Sequence, residues 1–364
     1  MVTNGEFDSV PSLSLQNPVD VIAAIPYLVG FHPSDSLVVL GIVRDSTRVG
    51  FAAQCELPEP SDDPDPTAGP SADDVGSDTA ATVARQGCDR ALLVAYGSAD
   101  RVTPRLEAAE RALTAAGVEV CEMLRVAEGR YWSYLCSQEC CPSEGRPYDV
   151  GSSTIPATAV VAGMSALPGR EDVAASIAPV NGERRELMHR ATLAAEARCA
   201  RMWGSTDSGG HTDFATALRI EGVRTVRAVV ADALAGRMPE DPDHLAWLGV
   251  VLVAPRVRDE AWAHIRADQA ATHVALWRYV LRHVDEGPYA AAPGGLLAFS
   301  AWLANEPALA DAALDRVHAV DPGYSMAALI RYALRQGVSP RQWRHLTPEW
   351  LEEHAPIIRP RPER

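Results

Sequence analysis

Between Pro26 and Leu40 the chain reads Pro-Tyr-Leu-Val-Gly-Phe-His-Pro-Ser-Asp-Ser-Leu-Val-Val-Leu, and no other stretch constrains the fold as tightly. It compresses a helix end, a tight turn and a buried strand into one short segment. Upstream, Asn17 suits an N-cap, Pro18 suits the first helical position, and Asp20 sets a carboxylate in the first turn, where the helix dipole favours it. Val19, Ile22, Ala23 and Pro26 follow at roughly helical spacing, which predicts a helix over Pro18–Leu28, kinked at Pro26 or ended at Ile25. Gly30 is placed for a left-handed C-cap. His32-Pro33-Ser34-Asp35 then reads as a turn, and Ser36–Ile42 as a strand covered on both faces. Two accounts fit His32, Asp35 and Ser36: a catalytic cluster at a strand entrance, or a turn whose polar side chains bond the local backbone.

The pattern that follows is mixed α/β to about residue 155. Arg48–Cys55 reads as a second strand hairpinned to the first across Arg44–Thr47, and Pro58–Ser71, rich in Pro and Asp, as a mobile loop. A helix over Asp73–Gln86, a strand over Asp89–Tyr96 and a helix over Pro104–Ala116 come next. Strands over Val118–Val126 and Arg130–Cys136 are joined at Glu128-Gly129. The strand–helix–strand–helix–strand order read from Ala91 onward predicts a mixed, mainly parallel sheet in a doubly wound or related three-layer fold. Such sheets take ligands beyond the carboxyl ends of their strands, which points to the loop at Gly97 and Ser98; its backbone N–H groups suit an anion, although it also reads as a plain strand–helix connection. From Pro156 the pattern turns helical. Trp302, Leu303, Ala308, Ala312, Leu314 and Pro322 follow the grammar of one tetratricopeptide-like hairpin. The expectation is an α/β (or α+β) domain over residues 1–155, followed by an all-α, helical-hairpin bundle over residues 156–364.

The segment Pro26–Ile42 resembles the opening signature of an actinobacterial family, domain of unknown function 4192. Tyr131–Gly145 is similar to that family's middle, and Asp321–Trp343 to its end. The resemblance covers most of the chain and implies an intracellular protein. It brings no activity and no site residues with it.

Composition narrows the chemistry. All 33 basic residues are Arg and none is Lys. A P-loop needs a Lys on the phosphates, a protein kinase needs its strand Lys, and Schiff-base or pyridoxal phosphate chemistry needs a Lys amine, so these classes are excluded. A net charge of -15 repels phosphate backbones and argues against nucleic acid as a partner. No apolar run reaches membrane length and no leader pattern opens the chain, so a cytoplasmic location is expected.

Seven Cys are too few and too dispersed for a disulfide scaffold. Cys136, Cys140 and Cys141 follow a strand, and a hairpin turning at Glu128-Gly129 sets Cys121 across from Cys136. Four thiols drawn together would make a structural zinc site. Buried thiols or a redox pair fit the same spacing, and adjacent Cys140 and Cys141 diverge on a strand. Tyr131 and Trp132 sit in the same hairpin, either covering the sheet or lining a ligand surface, with Trp132 and Tyr134 on one face and Tyr131 on the other. Ser208-Gly209-Gly210-His211 imitates a nucleophile turn but lacks the strand–Ser–helix setting, and reads as an interhelical loop.

Three functional readings follow. One is a non-enzymatic binding or regulatory protein whose helical domain receives a protein partner. A second is a hydrolase or transferase of a small molecule, with its site between sheet and helices near His32, Asp35 or Gly97. The third is a zinc or thiol module at the Cys hairpin, compatible with either.

Overall fold

The computed structural model describes residues 15–44, 49–57, 72–136, 141–205, 211–338, 340, 343–344 and 346–357. The expected loop at 58–71, most of the expected turn at 44–47, the Ser208–Gly210 turn, Cys140 and the Arg-rich stretch Arg359-Pro360-Arg361-Pro362-Glu363-Arg364 lie outside these described residues. Two compact units emerge, one of residues 1–172 with 335–338, the other of 173–334 with 339–364.

The first unit opens with α1 (Pro18–Val29), β1 (Ser36–Val43), β2 (Val49–Glu56), α2 (Ala72–Arg85), β3 (Cys88–Tyr96) and α3 (Ala99–Ala115). It continues with β4 (Glu119–Ala127), β5 (Arg130–Ser133), β6 (Arg146–Pro147), α4 (Ile155–Val161) and the start of α5 (Arg170–Ser176). The caps of α1 are those the sequence spells: Asn17 Oδ1 accepts from the Asp20 N–H, and Gly30, at φ 95°, returns its N–H to the Pro26 carbonyl. Pro26 does not end the helix. It lies one turn from the C-terminus, and the helix runs on to Val29. α4, inside the expected helical half, packs on α1 through Ile155, Ala23 and Ala24.

The sheet runs β2-β1-β3-β4-β5-β6. It is mixed, as expected, but it is not mainly parallel: β3–β4 is the parallel pair, and the other four pairings are antiparallel. A parallel pair needs a crossover, and only β3 and β4 are adjacent strands joined through a helix, α3. β1 separates β2 from β3 and runs against both. β4 and β5 are joined by Glu128 and Gly129, both at positive φ, a two-residue turn that forces an antiparallel hairpin.

One face of the sheet buries Leu37, Val39, Ala91, Leu93, Ala95 and Met123 against Ala80 and Val83 of α2 and Val102, Leu106, Ala109 and Leu113 of α3. Val38, Leu40, Val94 and Leu124 alternate with these and are equally inaccessible. Both faces are therefore covered, which is why β1 reads as a continuous apolar run.

The second unit is helical: the rest of α5, then α6 (Gly182–Ser205), α7 (His211–Leu234), α8 (Pro242–Leu252), α9 (Pro255–Ala263) and α10 (Ala270–His283). α11 (Pro288–Leu303), α12 (Pro307–Val320), α13 (Ser325–Arg335) and α14 (Pro348–His354) complete the chain. α11 is buried from Ala290 to Trp302, as a helix that is apolar all round must be. It packs closely on α12: a Cβ added at Gly294 would fall 2.4 Å from Val317 Cγ2.

Candidate functional site

The carboxyl end of β3 brings together residues that lie far apart in the sequence. β1 runs against β3 with Ser36 opposite Tyr96, so the turn before β1 meets the loop after β3. Gly97 sits at φ 140°, and a Cβ there would come 3.2 Å from Val102 Cγ1 and 3.6 Å from Asp35 Oδ1. Its N–H bonds the Val126 carbonyl at 3.1 Å, which ties the loop to β4. Ser98 follows in the N-cap position, its carbonyl accepting from the N–H groups of Arg101 and Val102. α3 thus begins before Pro104, where the sequence pattern places its start, and carries Pro104 internally.

Asp35 stands opposite this helix start. Its φ of 39° is left-handed, its carbonyl accepts from the Leu57 N–H at 2.8 Å, and its carboxylate forms an ion pair with the Arg101 guanidinium. The Asp35 side chain is 57% exposed and that of Arg101 26%. Asp100, in the first turn of α3, has its carboxyl held below the usual value by the Ser98 hydroxyl and by backbone N–H groups.

His32, Asp35 and Ser36 do not form one bonded set among the described residues. His32 is exposed, and its backbone N–H bonds the Leu167 carbonyl at 2.9 Å. Ser36 is fully buried, and its hydroxyl, like that of cross-strand Tyr96, finds no hydrogen-bond partner among the described residues. Burial pushes the Tyr96 hydroxyl far above its ordinary value. Arg101 escaped sequence reasoning, and its one signal was its position in the first turn after an N-cap Ser.

The Cys hairpin has the expected register but ends early. Leu124 pairs with Ser133, and the Tyr134 N–H still reaches the Met123 carbonyl. The chain then turns away, because the Ser133 hydroxyl accepts from the Cys136 N–H at 3.2 Å and donates to Glu122 at 2.8 Å. β5 therefore stops at Ser133 instead of Cys136, and Cys121 and Cys136 lie outside the paired ladder. Cys121 is exposed overall, yet partial burial, more than the charge of Glu119, pushes its thiol up. Among the described residues, which include Cys121, Cys136 and Cys141, no group of three or more His, Cys, Asp or Glu is placed to hold a metal ion.

The hairpin aromatics part as the strand period requires. Tyr131 is buried, its ring 6.4 Å from that of Tyr148. Tyr134 packs on the core beside α3, and its hydroxyl lies 2.6 Å from that of Thr103. Trp132 is half-buried and held in place: the Arg125 guanidinium lies 3.4 Å from its ring centroid, its indole N–H donates to the Ser143 carbonyl at 3.0 Å, and Gly145 lies against the ring.

The helical unit holds a buried ionic centre that the sequence pattern did not flag as a group. Glu260, fully buried, accepts from Arg227 at 2.7 Å and Arg256 at 2.8 Å, with His264 Nε2 at 3.4 Å. Burial alone would raise this carboxyl, but the nearby His264 imidazole and the hydrogen bonds from Arg256 and Arg227 outweigh it and hold it at about 2. Arg256, Glu260 and His264 recur at four-residue spacing, the one signal available in the sequence. His273, also buried, is pushed down to about 4, chiefly by burial and then by His264.

No helix among the described residues is long and apolar enough to cross a membrane. No curated protein matches the chain. No solved structure matches it either. Residues 18–341 match the family described as Domain of unknown function (DUF4192), and the chain belongs to that family.

Proposed function

We propose that this chain is a non-enzymatic binding protein whose α/β unit takes a small anionic ligand, a carboxylate or a phosphate, at the carboxyl edge of β3. The observation that carries the reading is the Asp35–Arg101 ion pair at the start of α3. An exposed carboxylate already occupies the guanidinium there, and a ligand anion of the same shape can exchange with it. The N-terminal turn of a seventeen-residue helix adds a favourable dipole, and Gly97 keeps the approach free of a side chain. Ser36 supports binding over hydrolysis, because a nucleophile must be reachable and this hydroxyl is fully buried.

The test is calorimetric titration of the full chain with pyrophosphate and with citrate. Arg101→Ala is expected to weaken the anion that binds by at least tenfold. Asp35→Asn, which removes the internal competitor, is expected to tighten it several-fold. Equal affinities in wild type and Arg101→Ala would end this reading, and so would weaker binding in Asp35→Asn.

A further inference from the structure

In the helical unit the chain's own C-terminal segment fills a seat on the bundle. Trp343 stacks on Trp262 with ring centroids 5.6 Å apart, and meets Phe299 at 5.2 Å and Trp302 at 6.2 Å edge-on. Beyond it, α14 lies against α9. Arg256 donates from Nε to the Ala355 carbonyl at 2.7 Å and pairs with Glu352 at 3.3 Å. The seat thus accepts an aromatic side chain at one end and a carboxylate with a neighbouring carbonyl at the other.

The residues of the seat are also held by contacts outside the segment that fills it. Glu260 fixes Arg256 from below and is itself held by Arg227, while Phe299 and Trp302 belong to the buried face of α11. The occupant is lightly built. α14 has seven residues, too few to be stable alone, and Leu351 is its one buried residue. Trp350 is 49% exposed, and Glu352 is 53% exposed, so its ion pair adds little. The family match covers the seat and stops at residue 341, short of α14. The fit is also incomplete: the Trp262 indole N–H is buried with no acceptor among the described residues, a cost that a different occupant's carbonyl would remove.

We propose that this seat on α9 and α11 is a docking site for a peptide of a partner protein that presents an aromatic side chain and a carboxylate, and that Trp343 and α14 hold it shut in cis. The partner peptide displaces the segment by matching its two anchors and adding an acceptor for Trp262. This inference is independent of the anion site on the α/β unit.

The test uses full-length protein and a labelled synthetic peptide with the sequence of residues 339–357. Full-length Trp343→Ala/Glu352→Gln is expected to bind the peptide at least tenfold more tightly than wild type. A peptide carrying the same two changes, or a scrambled peptide, is expected not to bind. In the wild type, amides of α14 are expected to exchange at least tenfold faster than those of α9 and α11. The proposal is overturned if the folded variant binds no better than wild type, or if the scrambled peptide binds equally. It is overturned too if the variant unfolds or α14 exchanges only with the whole bundle, since Trp343 would then be core. Native mass spectrometry showing a segment-exchanged dimer would assign the seat to a second copy and overturn the partner reading.

Discussion

Gly145 and Gly163 separate two effects that a positive φ usually confounds. Both are left-handed, at 76° and 79°. A Cβ at Gly163 meets nothing within 4 Å, whereas one at Gly145 would fall 2.4 Å from the Trp132 ring. That ring cannot yield freely, since Arg125 covers it and Ser143 binds its N–H. Gly163→Ala is therefore expected to cost about 1 kcal/mol, from backbone strain alone. Gly145→Ala adds an overpacking cost of about 1–3 kcal/mol. Urea unfolding of the two variants checks the order, and a Gly145→Ala midpoint no lower than that of Gly163→Ala would show that the Trp132 ring is loosely held. In the sequence Trp132 stands out as a residue that either covers the sheet or lines a ligand surface, and nothing local tells these apart. The deciding contacts come from Gly145 and Ser143, on the far side of the Cys loop.

At the scale of elements, α1 is legible in the sequence because its signals are local. Asn17, Pro18, Asp20 and Gly30 each act within a turn of the helix end, and each sits where the sequence puts it. What is not legible is the reach of Asp20. Its carboxylate accepts from the Gln16 N–H, from Asn17 Nδ2 and, through the other oxygen, from the Ser153 hydroxyl at 2.7 Å, which ties α1 to the segment before α4. Asp20→Ala is therefore expected to destabilise the α/β unit more than Asn17→Ala, which loses the cap bond, worth about 1 kcal/mol, and the exposed Nδ2 bond but leaves the Gln16 and Ser153 bonds in place. Denaturant midpoints that reverse this order would reduce Asp20 to a helix-dipole charge. The same contrast explains the sheet. The strands are readable from apolar runs, but the directions of their pairing depend on β1 inserting between β2 and β3, a long-range choice with no local mark. Asp35 and Gly97 each stand out in the sequence, and their meeting is a consequence of that insertion.

At the scale of the whole molecule, two groups among the described residues whose acid-side shifts are large both belong to the helical unit, and they act in the same direction. His273 has a folded pKa of about 4 against an ordinary 6.5, because burial favours its neutral form. The unfolded chain binds this proton first, so the stability it contributes is complete above pH 6.5 and is lost as pH falls through 4. Glu260, at about 2 against 4.5, contributes stability that is complete above 4.5 and lost as pH falls through 2. His273 contributes roughly 2–3 kcal/mol to the descent from neutrality to pH 4.5, and His283, also pushed down by burial, adds to it in the same direction. Seven of the eight Trp lie in the helical unit, Trp132 being the exception, so tryptophan emission reports on that unit. Urea midpoints followed by emission are expected to fall between pH 7.5 and 4.5 in the wild type. In His273→Gln, which cannot take up the proton, the profile is expected to be flatter over the same range. A wild-type midpoint independent of pH there would mean that His273 is hydrated in solution. An equal slope in His273→Gln would move the acid sensitivity to another group, with His283, half-buried and also pushed down chiefly by burial, the first to substitute.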